Sequence, residues 1–302
     1  MKDLTEEIEQ LKKEKNAVIL AHYYVPDEVQ QIADYTGDSF YLSKKAKETD
    51  ADMIVFAGVS FMGESAKILN PTKKVLLPDA SADCAMAHMA EPEKIKEMRE
   101  AYDDLAVLFY VNSTAGLKQY SDVCVTSANA VKVVKAIPNH NIFFIPDRHL
   151  GSFVAKQVPE KHIILNDGYC PVHHQITPEE VKRAKEEHQK ALVFVHPECT
   201  KEVVELADYV GSTSGIIDKV SQSLEKEFLI GTELGVMYQL KKENPDKTFY
   251  PIRKEQCCPD MKKITLEKVR DCLKEEKNEV HVPDEVSKKA AEAMEKMLEL
   301  GK

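Results

Sequence analysis

The 302-residue sequence has no tryptophan, only 11 glycines and no long apolar run. With 43% hydrophobic residues, this composition excludes collagen-like, disordered and disulfide-scaffold chains. No apolar stretch approaches the roughly 20 residues that a membrane span needs, and the charged first turns of the chain lack the apolar segment of a secretory signal. We therefore expect a cytoplasmic protein without a membrane partner.

Basic residues are outnumbered in this chain, which limits the kinds of partner it can have. There are 41 Lys and Arg against 51 Asp and Glu, a formal net charge of −10. This balance argues against nucleic acid as a partner, but not against a small anion, which meets only its own pocket. In a cytoplasmic protein the seven cysteines are expected to be thiols, metal ligands or nucleophiles rather than disulfides.

Apolar segments recur in the same order three times. Each unit has a buried-strand run, a helix, a second run, a third run with a glycine step and a helix, and a fourth run. The opening runs are AVILAHYY (17–24), AVLFYVNS (106–113) and ALVFVHPE (191–198). The fourth runs are KVLLPDASADC (74–84), KHIILNDGYC (161–170) and KTFYPIRKEQCC (247–258).

The spacing of equivalent positions supports a true repeat. Successive copies are 89 and 86 residues apart at Val18, Val107 and Val193. They are 88 and 84 residues apart at Gly63, Gly151 and Gly235. Any α/β protein can show similar segments by chance, but here four landmarks keep register over three copies.

Strands that alternate with helices of about ten residues indicate parallel sheets covered by helices on both faces. We therefore predict an α/β fold of three small α/β/α domains, where the length alone suggests two domains. The predicted bounds are an N-terminal helix over 1–16, repeats over 17–105, 106–190 and 191–263, and C-terminal helices over 264–302. These last helices are expected to pack across the domains, and one of them is a candidate to complete the first repeat.

Ligands of open parallel sheets bind at the carboxyl ends of the strands, where helix N-termini present free N–H groups. If the three copies surround a pseudo-threefold axis, their strand ends share one central cavity. A single serine at such a place is more often a helix N-cap, but as a set the hydroxyls suit an anion with carboxylate or phosphate groups. The candidates, copy by copy, are His22, Tyr24, Asp38, Ser39 and Ser60; Tyr110, Asn112, Ser127 and Asp147; and His196, Glu198, Ser212, Thr213 and Glu233.

Three cysteines follow the same repeat. Cys84, Cys170 and Cys258 each come just after the fourth run of their copy, 86 and 88 residues apart. Thiols related by a threefold axis meet at that axis, where they suit zinc or an iron–sulfur cluster. A [4Fe–4S] cluster normally takes four cysteines, so with three of them one iron stays open and can act as a Lewis acid.

Other uses of the cysteines stay open at this point. Cys170 with His173 and His174 could hold zinc, and Cys257 could replace its neighbour Cys258, since adjacent side chains point differently. Cys124 lies inside an apolar run, where packing is the expected role. Cys199 is ambiguous between packing and support of the site.

Three imidazoles and one carboxyl are candidates for proton transfer. His22 and His196 directly follow strand runs, at positions where a core residue is rarely polar, and His173 follows a cysteine of the trio. Glu198, two residues beyond His196, is a candidate general base if the cavity raises its pKa.

These ordered motifs resemble those of the quinolinate synthase family, and they cover nearly the whole chain, from about residue 17 to 265. The matching segments are AHYY (21–24), GDS (37–39), DASADCAMA (79–87), YVNS (110–113), TSAN (126–129), PDRHLG (146–151), DGYCPVHH (167–174), HPEC (196–199), GSTSG (211–215), GTELG (231–235) and CCPDM (257–261). The resemblance implies three pseudo-threefold-related α/β/α sandwich domains with short parallel sheets around a central [4Fe–4S] cluster. It also implies an enzyme of NAD biosynthesis that condenses iminoaspartate with dihydroxyacetone phosphate to give quinolinate, phosphate and water. An aspartate oxidase or dehydrogenase is then needed to supply the iminoaspartate.

The same resemblance implies which cysteines hold the cluster. They are Cys84, Cys170 and Cys258, the last because the family's third ligand precedes Pro-x-Met, here Pro259 and Met261. Some relatives carry a C-x-x-C-x-x-C run at this place. This chain has only Cys257 and Cys258 there, so a redox disulfide of that spacing is excluded.

The resemblance further implies roles in catalysis and substrate binding. Glu198 is expected to be the main base, with Tyr24 and a histidine as proton carriers. The implied catalytic residues are His22, Tyr24, Tyr110, His173, His196 and Glu198. The implied substrate-binding residues are His22, Asp38, Ser39, Tyr110, Asn112, Ser127, His196, Glu198, Ser212 and Thr213.

Two other functions fit the same residues. One is a zinc-dependent aldolase or lyase on the same fold, which predicts zinc and no sulfide in the purified protein. The other is a non-enzymatic sensor whose iron–sulfur cluster reports oxygen or iron. A sensor should keep its function in Glu198→Gln, whereas an enzyme should lose turnover and keep its cluster.

Overall fold

Strands and helices alternate along the chain in a computed structural model that describes residues 3–302. The strands are β1 Ala17–His22, β2 Tyr35–Gly37, β3 Met53–Ala57, β4 Lys74–Leu76, β5 Leu105–Tyr110, β6 Val123–Val125, β7 Asn141–Ile145, β8 His162–Leu165, β9 Leu192–Val195, β10 Tyr209–Val210, β11 Glu227–Gly231 and β12 Thr248–Pro251. The helices are α1 Leu4–Glu14, α2 Asp27–Ile32, α3 Ser39–Glu48, α4 Ser60–Leu69, α5 Pro92–Ala101, α6 Ala115–Lys118, α7 Ala130–Ala136, α8 Arg148–Gln157, α9 Pro171–His174, α10 Pro178–Glu187, α11 Lys201–Val204, α12 Thr213–Gln222, α13 Val236–Glu243, α14 Leu266–Glu275 and α15 Asp284–Leu300. Short 3₁₀ turns cover Ala85–His88 and Met261–Lys263.

The twelve strands form three four-stranded parallel sheets of identical topology. Their orders are β2-β1-β3-β4, β6-β5-β7-β8 and β10-β9-β11-β12. In each sheet the chain reverses its direction of travel beside the first strand, which opens a crevice at the carboxyl ends of the strands. The prediction of an α/β fold with three α/β/α domains is confirmed. The exact domain bounds stay a prediction, and β5 begins at Leu105, one residue before the predicted start of the second repeat.

The central strands form because they are apolar on both faces. Every residue of β3 and of β5 is buried, and Ile19 and Leu20 of β1 are fully enclosed. Helices cover both faces of a parallel sheet, so its strands need no polar face. The polar side chains are therefore displaced to the strand ends.

An aspartate at the amino end of each sheet ties the first strand to the second. Its carboxylate accepts the backbone N–H of a residue in the first strand, at 2.8, 2.7 and 2.8 Å in the three sheets. The three pairs are Asp34 with Ile19, Asp122 with Val107, and Asp208 with Val193. We name these residues the amino-end aspartates. They show that the three copies share one backbone register.

The first two sheets share one apolar core, whereas the third has its own. The joint core also takes in buried residues of α14 and α15, from Val269 to Leu298. The two clusters around the third sheet have buried members only between Ile176 and Ile252. The last helix, α15, packs on β6, α6 and α7 of the second unit and on α4 of the first.

The C-terminal segment also completes the edge of the first sheet. Val280 donates its N–H to Val75 O at 2.8 Å, and Leu77 donates to Asn278 O at 3.1 Å, beside β4. Lys15 and Lys74 both pair with Glu276 at the end of α14, at 2.5 Å each. Among residues 3–302, no helix is both long enough and apolar enough to span a bilayer.

Candidate active site

One cavity opens where the carboxyl ends of all three sheets meet. It encloses about 680 Å³ of space between protein atoms, part of it open to solvent. Residues of every unit line it, including the loops after the first, second and fourth strands. All of the predicted site residues except Ser60, Asp147 and Ser212 are part of this lining.

The first strand of each sheet contributes two lining residues at matched positions. Counted from the strand residue that the amino-end aspartate holds, they lie three and five residues further along. The first set is His22, Tyr110 and His196, and the second is Tyr24, Asn112 and Glu198. Equivalent backbone positions of the three repeats thus carry different side chains, and these side chains line the same cavity.

Glu198 is a buried carboxyl of the cavity wall, at 3% exposure. Its Oε2 lies 2.7 Å from His173 Nδ1 and 3.6 Å from His196 Nδ1, and Tyr110 donates a hydrogen bond to the same group. Burial alone raises the pKa of Glu198, but the two imidazoles and these hydrogen bonds outweigh it and hold the pKa below its ordinary value. The condition under which Glu198 was a candidate base, a pKa raised by the cavity, is therefore not met, because His173 and Tyr110 donate hydrogen bonds to the carboxylate beside a second imidazole.

The two strand-end histidines are neutral. Burial lowers the pKa of His22 and that of His196 to about 3. The Nδ1 of His196 accepts the N–H of Glu198 at 3.3 Å, so its Nε2–H donates to Ser127 Oγ at 3.2 Å. The Nδ1 of His22 likewise accepts the N–H of Tyr24 at 3.2 Å, which leaves the proton on Nε2.

A continuous chain of hydrogen bonds joins Tyr24 to Glu198. The Tyr24 hydroxyl lies 2.9 Å from Thr232 Oγ1, which lies 2.9 Å from His173 Nε2, and His173 Nδ1 donates to Glu198 at 2.7 Å. Tyr24 also contacts Thr213 Oγ1 at 2.8 Å. Thr232 is not among the predicted site residues, although it directly follows β11 in GTELG; the structure shows it fully buried. Each group of this chain can pass a proton to the next.

The second strands contribute hydroxyls at matched positions. Ser39, Ser127 and Thr213 each lie five residues beyond the amino-end aspartate, and all three line the cavity. Thr126 of the TSAN segment, which is not among the predicted site residues, lines the cavity too. Its Oγ1 and the Oδ1 of Asn112 are buried without a hydrogen-bond partner among residues 3–302. Buried polar atoms are normally paired, so these two favour a polar ligand in the cavity.

Two of the predicted substrate-binding residues cap helices. Ser212 accepts the N–H of Gly215 at 3.1 Å as the N-cap of α12 and does not line the cavity. Asp38 does line the cavity, but its carboxylate accepts the N–H of Tyr41 at 3.0 Å and the hydroxyl of Ser214 at 2.6 Å. Both side chains therefore hold the N-termini of helices that face the cavity.

The three cysteines of the repeat line the same cavity as the catalytic candidates. Cys84, Cys170 and Cys258 are free thiols, and Cys257 is absent from the lining. Burial raises the pKa of Cys84 to about 12, and it also raises the pKa of Cys170 and of Cys258. Such thiols become thiolates on binding a cation, and three soft sulfur donors suit iron–sulfur or zinc chemistry.

The remaining cysteines pack in the cores. Cys124 in β6 and Cys272 in α14 are fully buried members of the joint core. Cys199 is 1% exposed and belongs to a cluster of the third unit, with its Sγ 3.5 Å from Gly231 O. The packing role expected for Cys124 is thus confirmed. Of the two roles considered for Cys199, the structure favours packing in the core.

A second donor set overlaps the first. Cys170 Sγ, His173 Nδ1 and a Glu198 carboxylate oxygen lie within 4.8 Å of one another and could hold a metal ion. His174, the other imidazole considered for zinc, lies outside the cavity lining, because its Nδ1 bonds His149 Nε2 at 2.9 Å and its ring lies against Tyr169. A zinc site here therefore needs Glu198 in place of His174.

Comparison with known proteins gives one consistent family. The family model described as quinolinate synthetase A protein matches residues 6–299. The chain is 55% identical over 298 residues to the quinolinate synthase of Caldicellulosiruptor bescii, covering 99% of this chain and 98% of that protein. It is 52% identical over 295 residues to the one of Thermodesulfovibrio yellowstonii, covering 98% and 97%. It is 49% identical over 299 residues to the one of Clostridioides difficile, covering 99% and 98%.

Proposed function

Because the chain belongs to the quinolinate synthetase A family, and is thus an enzyme of NAD biosynthesis, we propose that it condenses iminoaspartate with dihydroxyacetone phosphate to give quinolinate, phosphate and water. The observation that supports this most is the single cavity, where three thiols of a repeat face a buried proton-transfer chain. The supplier of iminoaspartate is then an aspartate oxidase or dehydrogenase. A cytoplasmic location, without nucleic-acid or membrane partners, stays a prediction from the sequence.

The cofactor of this proposal is a [4Fe–4S] cluster held by Cys84, Cys170 and Cys258. The fit rests on the donor set: three unpaired thiols from equivalent loops border one cavity. When bound, such a cluster supplies a Lewis acid at the coordination position that no cysteine fills. Cys257 is left out of the set because it does not border the cavity.

Proton transfer is assigned to the chain from Tyr24 to Glu198. Bond formation, phosphate loss, ring closure and dehydration all require protons to be moved within one site. Glu198 is ionised at neutral pH and acts as the base, and His173 carries the proton between Glu198 Oε2 and Thr232 Oγ1. The Tyr24 hydroxyl delivers it at the other end, while Tyr110 holds the carboxylate in place.

Substrate binding is assigned to the matched hydroxyls and the strand-end donors. Ser39 and Thr213 begin helices of ten residues, so their hydroxyls lie beside free backbone N–H groups that attract carboxylate or phosphate. Ser127, Asn112 and the Nε2–H groups of His22 and His196 complete the set of polar groups that a small dianion requires. Asp38 and Ser212 act indirectly, because their side chains cap the N-termini of α3 and α12.

The test is anaerobic purification with iron and sulfide analysis and an assay for quinolinate. The proposal expects a brown protein with about four irons and four sulfides per chain. Cys84→Ser should lose the cluster and the activity, with Cys257→Ser as a matched control that keeps both. A colourless, iron-free protein with full activity would refute the proposal.

A zinc-dependent lyase is the second candidate, favoured by the close set of Cys170, His173 and Glu198. It predicts zinc without sulfide, and activity that zinc alone restores after chelation. The sensor alternative predicts that Glu198→Gln keeps both cluster and function. Metal analysis followed by that variant separates all three.

A further inference from the structure

Each cysteine of the trio has its backbone N–H held by a carboxylate. The N–H of Cys84 donates to Asp83 Oδ1 at 2.8 Å, that of Cys170 to Asp147 Oδ2 at 3.1 Å, and that of Cys258 to Glu233 Oε1 at 3.1 Å. We name Asp83, Asp147 and Glu233 the anchor carboxylates. Asp147 and Glu233 are fully buried, so their hydrogen bonds are shielded from water.

The anchor carboxylates join two loops of each unit. One loop follows the third strand, and the other follows the fourth strand and carries the cysteine. A backbone bond made by the third-strand loop recurs in all three units, and its acceptor is always two residues before the cysteine. The bonds are Ser60 N–H to Ala82 O at 2.9 Å, Arg148 N–H to Gly168 O at 2.8 Å, and Leu234 N–H to Gln256 O at 3.1 Å.

These backbone bonds reveal which positions are equivalent. The residues that precede the three donors are Val59, Asp147 and Glu233, so the second and third units place their carboxylate at the same position. The first unit has Val59 there, whose side chain cannot accept a hydrogen bond. Instead, the hydroxyl of Ser60 donates to Asp83 at 2.5 Å, and Asp83 accepts the N–H of Cys84. The same link is thus made by a different route.

Both buried anchor carboxylates use their two oxygens for separate tasks. Asp147 Oδ1 accepts the N–H groups of His149 and Leu150 as the N-cap of α8, at 2.8 Å each, and Oδ2 serves Cys170 alone. Glu233 Oε2 accepts the N–H of Gly235 at 2.6 Å, and Oε1 takes Cys258 together with the Lys262 ammonium at 2.9 Å. The N-cap can therefore be kept while the contact with the cysteine is removed.

We propose that Asp147 and Glu233 are positioning residues that hold the backbone of Cys170 and Cys258, so that their thiols are oriented for metal binding before the metal arrives. Asp83 does the same for Cys84 from its half-buried position. This inference rests on the proposed cluster site. Partners that orient ligands without touching the metal typically affect metal affinity by about 10- to 100-fold.

The decisive variant is Asp147→Asn. Asparagine is an N-cap as good as aspartate, so its oxygen can keep the contacts with His149 and Leu150. Its amide NH₂ then faces the N–H of Cys170, and two donors cannot bond each other. Asp147→Ser, which has a single oxygen for the N-cap, should behave in the same way. Asp122→Asn is the matched control, because it changes an amino-end aspartate of the same unit.

The measurement is the rate at which reconstituted protein loses iron to a chelator under anaerobic conditions, with the EPR spectrum of the reduced cluster. Both Asp147 variants should lose iron about tenfold faster or more and show an altered spectrum, while Asp122→Asn matches the wild type. An unchanged rate and spectrum in both variants would overturn the inference. Equal acceleration in Asp122→Asn would overturn it too, because that points to general loss of stability. A wild-type protein that binds no cluster would instead defeat the proposed function, and the inference with it.

Discussion

The amino ends and the carboxyl ends of the three sheets differ in how closely the side chains of the three repeats match. At the amino ends, Asp34, Asp122 and Asp208 occupy one position and make one hydrogen bond, with lengths that agree to 0.1 Å. At the carboxyl ends, the positions three residues beyond Ile19, Val107 and Val193, the strand residues that these aspartates hold, carry histidine, tyrosine and histidine. The next matched set carries tyrosine, asparagine and glutamate. The backbone repeats at both ends, but at the carboxyl ends the side chains that follow the first strands differ from copy to copy.

This difference shows where symmetry is useful to the protein. Three copies of one strand arrangement need three copies of the bond that fixes its register, so identical residues serve equally well there. Proton transfer to and from a substrate without threefold symmetry needs unlike groups at one place. Two sets at the carboxyl end do repeat, the three cysteines and the hydroxyls of Ser39, Ser127 and Thr213. Identical thiols suit the proposed cluster, which would take three equivalent ligands.

The largest effect is expected for Glu198→Gln at the carboxyl end. An amide can accept from His173 or Tyr110 but cannot take up a proton, so turnover should fall by roughly 10²- to 10⁴-fold. Iron and sulfide content should stay at the wild-type level. The control is Glu227→Gln, the same change at the first residue of β11, on the amino side of the third sheet. Equal turnover in the two variants would contradict the assignment of the base.

A smaller loss is expected for Tyr24→Phe. It breaks the chain to Glu198 at the Thr232 hydroxyl but leaves His173 in place. One lost hydrogen bond of about 1 kcal/mol corresponds to somewhat less than tenfold in rate, and loss of the proton carrier adds to this, so turnover should fall at least tenfold. Steady-state kinetics measure it, with Tyr250→Phe, outside the cavity, as the control. Unchanged turnover would remove Tyr24 from the proton path.

No loss of activity is expected from the amino-end aspartates. Asp208→Ala leaves the N–H of Val193 without its acceptor, which should cost about 1 kcal/mol and lower the melting temperature. Asp122→Ala should cost a similar amount, with a further small part from the exposed pair with Arg99. Thermal unfolding and turnover per folded molecule measure the two effects. If either variant lost turnover while staying folded, this would contradict the claim that the amino-end aspartates affect stability and not activity.

The smallest effect concerns Glu276, beside the amino end of the first sheet. Hydrogen bonds from Lys15 and Lys74 lower the pKa of its carboxyl from 4.5 to about 2. A depressed folded-state pKa gives stability that is present above the unfolded value and lost as pH falls toward the folded one. Glu276→Gln should therefore be slightly less stable than wild type at pH 6, with the difference shrinking between pH 4.5 and 2. A difference that stays constant over this range in urea unfolding would count against the pair.

Much of this molecule can be read from its sequence because the repeat is visible in the apolar runs. Val18, Val107 and Val193 locate the first strands, and the spacing of Cys84, Cys170 and Cys258 locates the shared cavity. The remaining features of the site depend on contacts between different repeats, which the sequence of one repeat does not reveal. Thr232 looks like an ordinary strand-end residue until the fold places it between Tyr24 and His173.

The electrostatics of the cavity are the least readable part. The sequence shows that Glu198 follows a buried strand, and burial alone predicts a raised pKa. The opposite direction follows from the imidazoles of His196 and His173 and from the hydroxyl of Tyr110, and the last two belong to another unit than Glu198. Likewise Ser212 and Thr213 are adjacent in sequence, yet one caps a helix and the other lines the cavity.

The separate core of the third unit bears on the order in which the chain completes itself during synthesis. Its buried residues lie between Ile176 and Ile252, whereas the joint core of the first two units needs α15, up to Leu298. Domains usually fold from the N-terminus onward as the ribosome releases them. Here the third unit is translated last, yet its core is complete once Ile252 has been synthesised, before the joint core of the first two units is complete. The first two units can complete their joint core only after α15 is synthesised. A chain truncated before α15 would therefore leave the core of its N-terminal units incomplete.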